Sequence, residues 1–249
     1  MKVSIITICY NAESTIEDTI KSVVAQDYKN IEYIIVDGLS SDKTMQIVDR
    51  YKDDLAQVIS EKDNGIYDAM NKGVSAATGD VVGILNSDDL YAHDHVVSDM
   101  VTAMADADAV YADLVYVMRD DTDHVTRAWK AGSYKKGMFK KGWMPPHPTF
   151  FVKKYCYDQY GLYSLRLRSS ADYELMLRFI HKYEISVNYH AETIIKMRLG
   201  GQSNVTIKNR LAANKEDREA WKMNGLSPGV ATIRKPISKI GQFLKKDNQ

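Results

Sequence analysis

Val3, Ile5, Ile6 and Ile8 form a β-rich apolar run that ends at Cys9-Tyr10-Asn11, which predicts a buried strand opening into a turn. Ser14 and Glu17 stand at capping-box spacing, and Ile16, Ile20, Val23 and Val24 follow at helical period, so a helix comes next. The pattern then repeats. Ile31 to Val36 is a second apolar strand ending at Asp37-Gly38; Ser40-Ser41-Asp42 precedes a helix marked by Met45, Ile47 and Val48; Val58-Ile59 is a short third strand. Asp63-Asn64-Gly65 is turn chemistry, and Ile66 to Ala77 reads as a helix closing near Gly79. Val81 to Leu85 is a fourth strand running straight into Asn86-Ser87-Asp88-Asp89. Val96, Val97, Met100, Val101 and Met104 mark another helix, and Ala109 to Asp113 another strand.

Strands that alternate with helices in this way predict an α/β fold, a mostly parallel, doubly wound sheet with helices on both faces. Ligands of such sheets bind beyond the carboxyl ends of the strands. Tyr10, Asn11, Asp37, Gly38 and Asn86 to Asp89 are thereby candidates for one site. From Arg119 to Trp143 the pattern is less regular, with Asp120-Asp121 as a hairpin tip and basic pairs at Lys135-Lys136 and Lys140-Lys141, the look of an inserted, acceptor-side segment. Met144-Pro145-Pro146-His147-Pro148 interrupts regular structure, and a strand resumes over Thr149 to Val152. Tyr173, Met176, Leu177 and Ile180 have helical spacing and put Asp172 at a helix N-terminus; a polar helical pattern covers Asn204 to Asn224.

The 33 basic and 33 acidic residues cancel overall but not locally, since residues 1 to 118 carry 8 Lys/Arg against 21 Asp/Glu and the remainder 25 against 12. An acidic, cation-binding first half and a second half that meets something anionic follow, and a nonspecific nucleic-acid-coating protein does not. Only Cys9 and Cys156 are present, at a spacing that suits neither a zinc cluster nor a disulfide framework, so a reducing cytoplasm is expected. No apolar run reaches the roughly 18 residues of a membrane span. Membrane contact, if any, is then peripheral.

No glycine precedes Gly38, which argues against a dinucleotide-binding loop, and neither a phosphate-binding Gly-x4-Gly-Lys-Ser/Thr loop nor a His-Glu-x-x-His helix occurs. Asp88 and Asp89 fit two roles. Adjacent carboxylates at a strand end suit a hard divalent ion, Mg²⁺ or Mn²⁺, shared with a diphosphate; equally, either caps the following helix. Asp37 is a candidate acceptor for a nucleobase N–H or an ordinary turn residue. His93 and His95 lack a third histidine at ligand spacing and read as exposed helix-start residues. Trp129, Tyr134 and Trp143 suit either sugar stacking or the core, and His147 either an acceptor contact or a structural hydrogen bond.

Val3 to Asn11, Ile34 to Asp42, Asp63 to Gly73, Asn86-Ser87-Asp88-Asp89 and Ala171 to Leu175 together resemble glycosyltransferase family 2, in the family's order across most of residues 1 to 180. The Asp63 to Gly73 stretch resembles in particular bacterial enzymes of exopolysaccharide, capsule and O-antigen assembly. The resemblance implies a GT-A fold and inverting transfer from a nucleoside-diphosphate sugar, UDP-linked by preference, to a saccharide or lipid-linked saccharide. It implies Thr7, Tyr10, Asn11, Asp37, Asp63, Met70, Lys72, Asn86 and Ser87 at the nucleotide sugar, and Asp88 with Asp89 at a Mn²⁺ or Mg²⁺ ion. Asp172 corresponds to the base that activates the acceptor, with Glu174 as its rival.

Two departures stand out: Asn86 replaces the first Asp of the family's Asp-x-Asp, and Met70 stands where many members have Arg. No Gln-x-x-Arg-Trp follows Asp172, which favours transfer of one sugar over polymerisation. The expected organisation is a catalytic domain over 1–203, its nucleotide-sugar part about 1–118 and its acceptor part about 119–203, and a helical extension over 204–249. That extension ends in a basic tail where Ile233, Ile237, Ile240, Phe243 and Leu244 interleave with lysines, suited to an anionic membrane face or to solvent. The rival classes are a sugar nucleotidyltransferase, which wants a glycine- and arginine-bearing first loop, and a catalytically silent nucleotide-sugar binder.

Overall fold

The structure, a computed structural model, describes residues 1–200, 207–229 and 231. The apolar runs become β1 (Val3–Cys9), β2 (Ile31–Asp37), β3 (Gln57–Ser60) and β4 (Val81–Asn86), joined by α1 (Ile16–Val24), α2 (Thr44–Val48) and α3 (Ile66–Ala76). These four strands are parallel, β2 between β1 and β3 and β1 between β2 and β4. Helical crossovers enforce that direction.

Past β4 the sheet becomes mixed. After β5 (Asp89–Tyr91) and α4 (Val96–Met104), β6 (Ala109–Val117) folds back as a hairpin into β7 (Val125–Trp129), with Asp121 accepting the Asp123 and His124 amides at the tip. β8 (Phe151–Lys153) lies antiparallel between β4 and β6, and β9 (Val187–Arg198) runs parallel to β6 and antiparallel to β5. The nine-stranded sheet has the order β3-β2-β1-β4-β8-β6-β9-β5, with β7 on β6. The parallel arrangement expected of the sheet thus holds for the first four strands and again for β6 with β9, while β5, β7 and β8 join antiparallel. The sequence pattern missed β9 because its exposed and half-buried positions carry polar residues, leaving no apolar run to mark it.

Because side chains alternate along a strand, each strand feeds two cores. Ile6, Ile8, Ile34, Val36, Val82 and Ile84 pack under α3 and the helices α5 (Lys154–Tyr160) and α6 (Ala171–Met176), the latter continued by a π-helical turn over Leu177–Lys182. Val3, Ile5, Tyr33, Ile35, Val81 and Leu85 pack on the other face, under α1, α2 and α4. Gly73 lets α3 settle onto β1, since a Cβ there would lie 2.3 Å from the Ile6 side chain. The helix α7 (Ile207–Met223) joins the first core: Trp221 is fully buried and donates its indole N–H to the Tyr173 hydroxyl at 2.9 Å. None of the described helices is long and apolar enough to cross a membrane, and the basic tail over 233–244 lies outside the described residues.

Candidate active site

The parallel register sets the carboxyl ends of three strands level. Cys9 of β1 lies opposite Asp37 of β2, and Ile8 opposite Asn86 of β4, so the loops starting at Tyr10, Gly38 and Ser87 emerge side by side. The amides of Gly38 and Ser87 both donate to β1 carbonyls, those of Cys9 and Ile8, which fixes the loops against one another. The hollow beside Met1, Gly79, Asp80 and Lys154 lies at the opposite, amino end of the strands, where a parallel sheet presents no ligand loops.

At the first pole, Asp63 rather than Asp37 is open to a ligand. Asp37 is fully buried: its carboxylate accepts from the Ser40 hydroxyl at 2.5 Å, the Ser40 amide at 3.2 Å and the Ser60 hydroxyl at 2.7 Å. It shapes the loop and offers no exposed oxygen, which corrects the expectation that it receives a base directly. The half-buried Asp63 carboxylate instead lies across Gly38, where a Cβ would fall 2.4 Å from its Oδ2, with the Tyr10 ring close by. Tyr10 is 59% exposed, and Asn11, at a positive φ of 48°, turns its side-chain oxygen to the Ser41 amide at 2.8 Å.

Three further expectations fail here for reasons of orientation. Thr7 faces the second core, fully buried, with its hydroxyl 3.0 Å from that of Tyr33. Met70 is buried in the first core on the sheet side of α3. Lys72 binds the Lys62 carbonyl at 2.7 Å and Glu61 at 3.0 Å, so it holds the Asp63 loop rather than reaching past it.

At the second pole the two adjacent acids part company. Asp89 is 1% exposed, accepts from the Asn86 side-chain amide at 3.2 Å and the Arg198 backbone amide at 3.3 Å, and is pushed well above the usual carboxylate range by burial and by Asp88 beside it. It is a floor beneath the loop, its carboxylate turned away from the solvent side on which Asp89 was expected to share an ion with Asp88. Asp88 is half-buried; burial raises its carboxyl, while Arg119 and Arg198 pull it partly back. Asn86 is held through its nitrogen, which leaves Oδ1 buried without a hydrogen-bond partner. A bare amide oxygen on the same short loop as the partly desolvated Asp88 carboxylate gives the loop oxygen donors of the kind that suit a hard divalent ion. Arg198, which no sequence motif signalled, fixes this loop by donating to the Asp88 and Arg119 carbonyls, each at 3.1 Å, and to Asp18 at 2.5 Å.

At the third pole Asp172 begins α6, half-buried, and its Oδ1 accepts from the Tyr67 hydroxyl at 3.0 Å. Tyr67 belongs to the first turn of α3, just past the Asp63 loop, so this bond links the first and third poles. Glu174 points the other way: it is 3% exposed, its carboxylate is gripped at 2.9 Å by Arg178 through both Nε and Nη2, and the Asn224 side chain donates to it at 2.8 Å. It is a structural anchor for α7, which removes it as a rival to Asp172. Behind Tyr67, Tyr163 stacks at 5.8 Å and its hydroxyl lies 2.9 Å from His147 Nε2. Burial lowers the His147 imidazole and the nearby Asp172 charge partly restores it, so it is neutral near pH 7. Trp143, by contrast, meets Tyr111, Tyr134 and Phe139 and donates to the Ala131 carbonyl at 2.8 Å, as part of the packing.

Residues 4–163 match the family model described as Glycosyl transferase family 2. An uncharacterized glycosyltransferase of Mycobacterium tuberculosis is 33% identical over 178 residues, 71% of this chain and 68% of that protein. A PGL/p-HBAD biosynthesis glycosyltransferase of Mycobacterium bovis is 28% identical over 211 residues, 82% of this chain and 80% of its own. Among solved structures, S. aureus TarS 1-349 in complex with UDP-GlcNAc superposes with a TM-score of 0.68 at 17% identity, covering 90% of this chain and 65% of that one. The mannosyltransferase PcManGT from Pyrobaculum calidifontis, in complex with GDP-Man and Mn2+, gives 0.68 at 18% identity over 98% of this chain and 69% of its own. The strand-end rim, the match over residues 4–163 and these likenesses agree: the chain belongs to glycosyl transferase family 2 and has the GT-A fold.

Proposed function

We propose that this glycosyltransferase moves one sugar, with inversion, from a nucleoside-diphosphate sugar, UDP-linked by preference, to a hydroxyl of a saccharide or lipid-linked saccharide in bacterial surface-polysaccharide assembly. The first part of the chain, about 1–118, holds the donor, and the segment about 119–203 meets the acceptor. Tyr10, Asn11 and Asp63 line the base and ribose, while Asn86, Ser87 and Asp88 face the diphosphate. Asp88 and Asn86 Oδ1 would hold Mn²⁺ or Mg²⁺, which when bound neutralises the charge that gathers on the departing diphosphate. The neighbours solved with UDP-GlcNAc and with GDP-Man and Mn2+ support this chemistry.

Asp172 takes the proton of the attacking hydroxyl, a contribution of about 10²- to 10⁴-fold for a positioned base. Tyr67 holds the carboxylate so that one oxygen accepts its hydroxyl and the other is left for the acceptor. The observation that carries the reading is this 3.0 Å bond, because it joins the helix that follows the donor loop to the only acid of the Asp172–Glu174 pair that is not already paired inside the core. Attack opposite the leaving group needs no covalent glycosyl-enzyme.

The test is incubation with a panel of radiolabelled nucleotide sugars and saccharide acceptors, with and without Mn²⁺, alongside two variants. Transfer with release of nucleoside diphosphate supports the proposal; release of pyrophosphate marks a nucleotidyltransferase, and binding without turnover a silent binder. Asp172→Asn is expected to bind donor as wild type does while losing at least about 100-fold in kcat. Asp88→Ala is expected to lose Mn²⁺-dependent donor binding in calorimetry. Full activity of Asp172→Asn would sink the assignment of the base.

A further inference from the structure

Away from the rim, three histidines and two acids from distant parts of the chain meet at the outer edge of the sheet. β5 pairs antiparallel with β9, Tyr91 opposite Ile195, so the chain leaving β5 through His93 and His95 runs beside the start of β9, which carries His190 and Glu192. Asp99, in the first turns of α4, completes the group. His93, His95 and Asp99 have ligand atoms within 4.8 Å of one another, as do Asp99, His190 and Glu192, so Asp99 is common to two overlapping sets. His95 Nε2 lies 3.9 Å from Asp99 Oδ2, His190 Nε2 lies 3.7 Å from Glu192 Oε2, and the His93 and His95 rings are 4.0 Å apart.

Two observations separate this cluster from an ordinary polar patch. His93 Nδ1 and His190 Nε2 are buried without a hydrogen-bond partner, although burying an imidazole nitrogen unpaired is unfavourable. His95, in turn, has its Nδ1 on Asp94 at 2.9 Å, the outer-shell carboxylate contact that fixes a ligating imidazole and leaves Nε2 for the ion. A tetrahedral ion with ligands at about 2.0–2.1 Å separates its donors by about 3.3 Å, within a small side-chain adjustment of the His93, His95 and Asp99 atoms, which all lie within 4.8 Å of one another.

From this geometry we infer a second metal site, built by His93, His95 and Asp99, with His190 and Glu192 meeting the same Asp99 from the β9 side, for a divalent transition ion of the Zn²⁺ class. Imidazole donors select such ions over Mg²⁺ and Mn²⁺, whereas Asn86 and Asp88 offer oxygen alone. The two sites therefore take different ions. Binding here pins the chain leaving β5 to the first turns of α4, beside the start of β9.

The test strips the full chain with a chelator and titrates it with Zn²⁺ by calorimetry, with Co²⁺ as a visible probe. Wild type is expected to bind one equivalent at micromolar or lower concentration, to melt at higher temperature with Zn²⁺, and to give with Co²⁺ the intense visible absorption of a tetrahedral nitrogen site. Asp94→Ala is expected to weaken binding by roughly 10- to 100-fold, and His93→Gln by more, because it removes a ligand and not an outer partner. Asp88→Ala is expected to bind Zn²⁺ like wild type, whatever becomes of its donor binding. Absence of a one-to-one Zn²⁺ isotherm in wild type, a pale octahedral Co²⁺ spectrum, or undiminished affinity in a His93→Gln chain with wild-type circular dichroism each overturns the assignment.

Discussion

Tyr67 shows how much one side chain of this site does. Its ring stacks on Tyr163 and its hydroxyl donates to Asp172, so one residue both fills the core edge and aims the carboxylate proposed as the base. Tyr67→Phe keeps the ring and removes the donor. A hydrogen bond to a charged group is worth about 1.5–3 kcal/mol, so kcat is expected to fall about tenfold or more while donor KM stays within about twofold, read from initial rates. The placement of Asp88 just past a strand end and of Asp172 at a helix start was legible in the sequence, because strand-end and helix-start patterns are local. Asp37, Asp89 and Glu174 looked equally promising and turned inward. What separates them is partners far off in the chain, Ser60 for Asp37, Arg198 for Asp89 and Asn224 for Glu174, which local spacing does not reveal.

Among the elements, β9 is the one on which the site depends most and the one that periodicity missed. Lying parallel to β6 and antiparallel to β5, it delivers Arg198 beneath the Asp88 loop and His190 to the histidine cluster. Strands β1, β2 and β4 were readable as continuous apolar runs because both faces of each are covered. β9 is solvated over much of its length and so keeps polar residues. Arg198→Ala removes hydrogen bonds to two carbonyls and to Asp18, and is expected to lower stability by on the order of 2 kcal/mol. Because the loop it holds carries Asp88, donor KM is expected to rise more than kcat falls; thermal melts and steady-state kinetics check both.

For the whole molecule, the two cores meet across one sheet, and Glu32 lies at an amino-end junction of that sheet. It is 8% exposed; burial opposes its ionisation, but hydrogen bonds from Lys2, Ser4 and Thr78 outweigh that and hold its carboxyl at about 2. With a folded value below the unfolded one, the stabilisation is complete above about pH 4.5 and disappears as pH falls toward 2, an amount on the order of 3 kcal/mol. Glu32→Gln is therefore expected to lower the urea midpoint at pH 7 and to narrow its difference from wild type near pH 2.

The late position of Trp221 along the chain has a consequence for synthesis. A ribosome makes the four parallel strands first, and the indole that packs under Tyr173, next door to Asp172, emerges well after them. The support beneath Asp172, the proposed base, is therefore complete only once α7 has docked through Trp221.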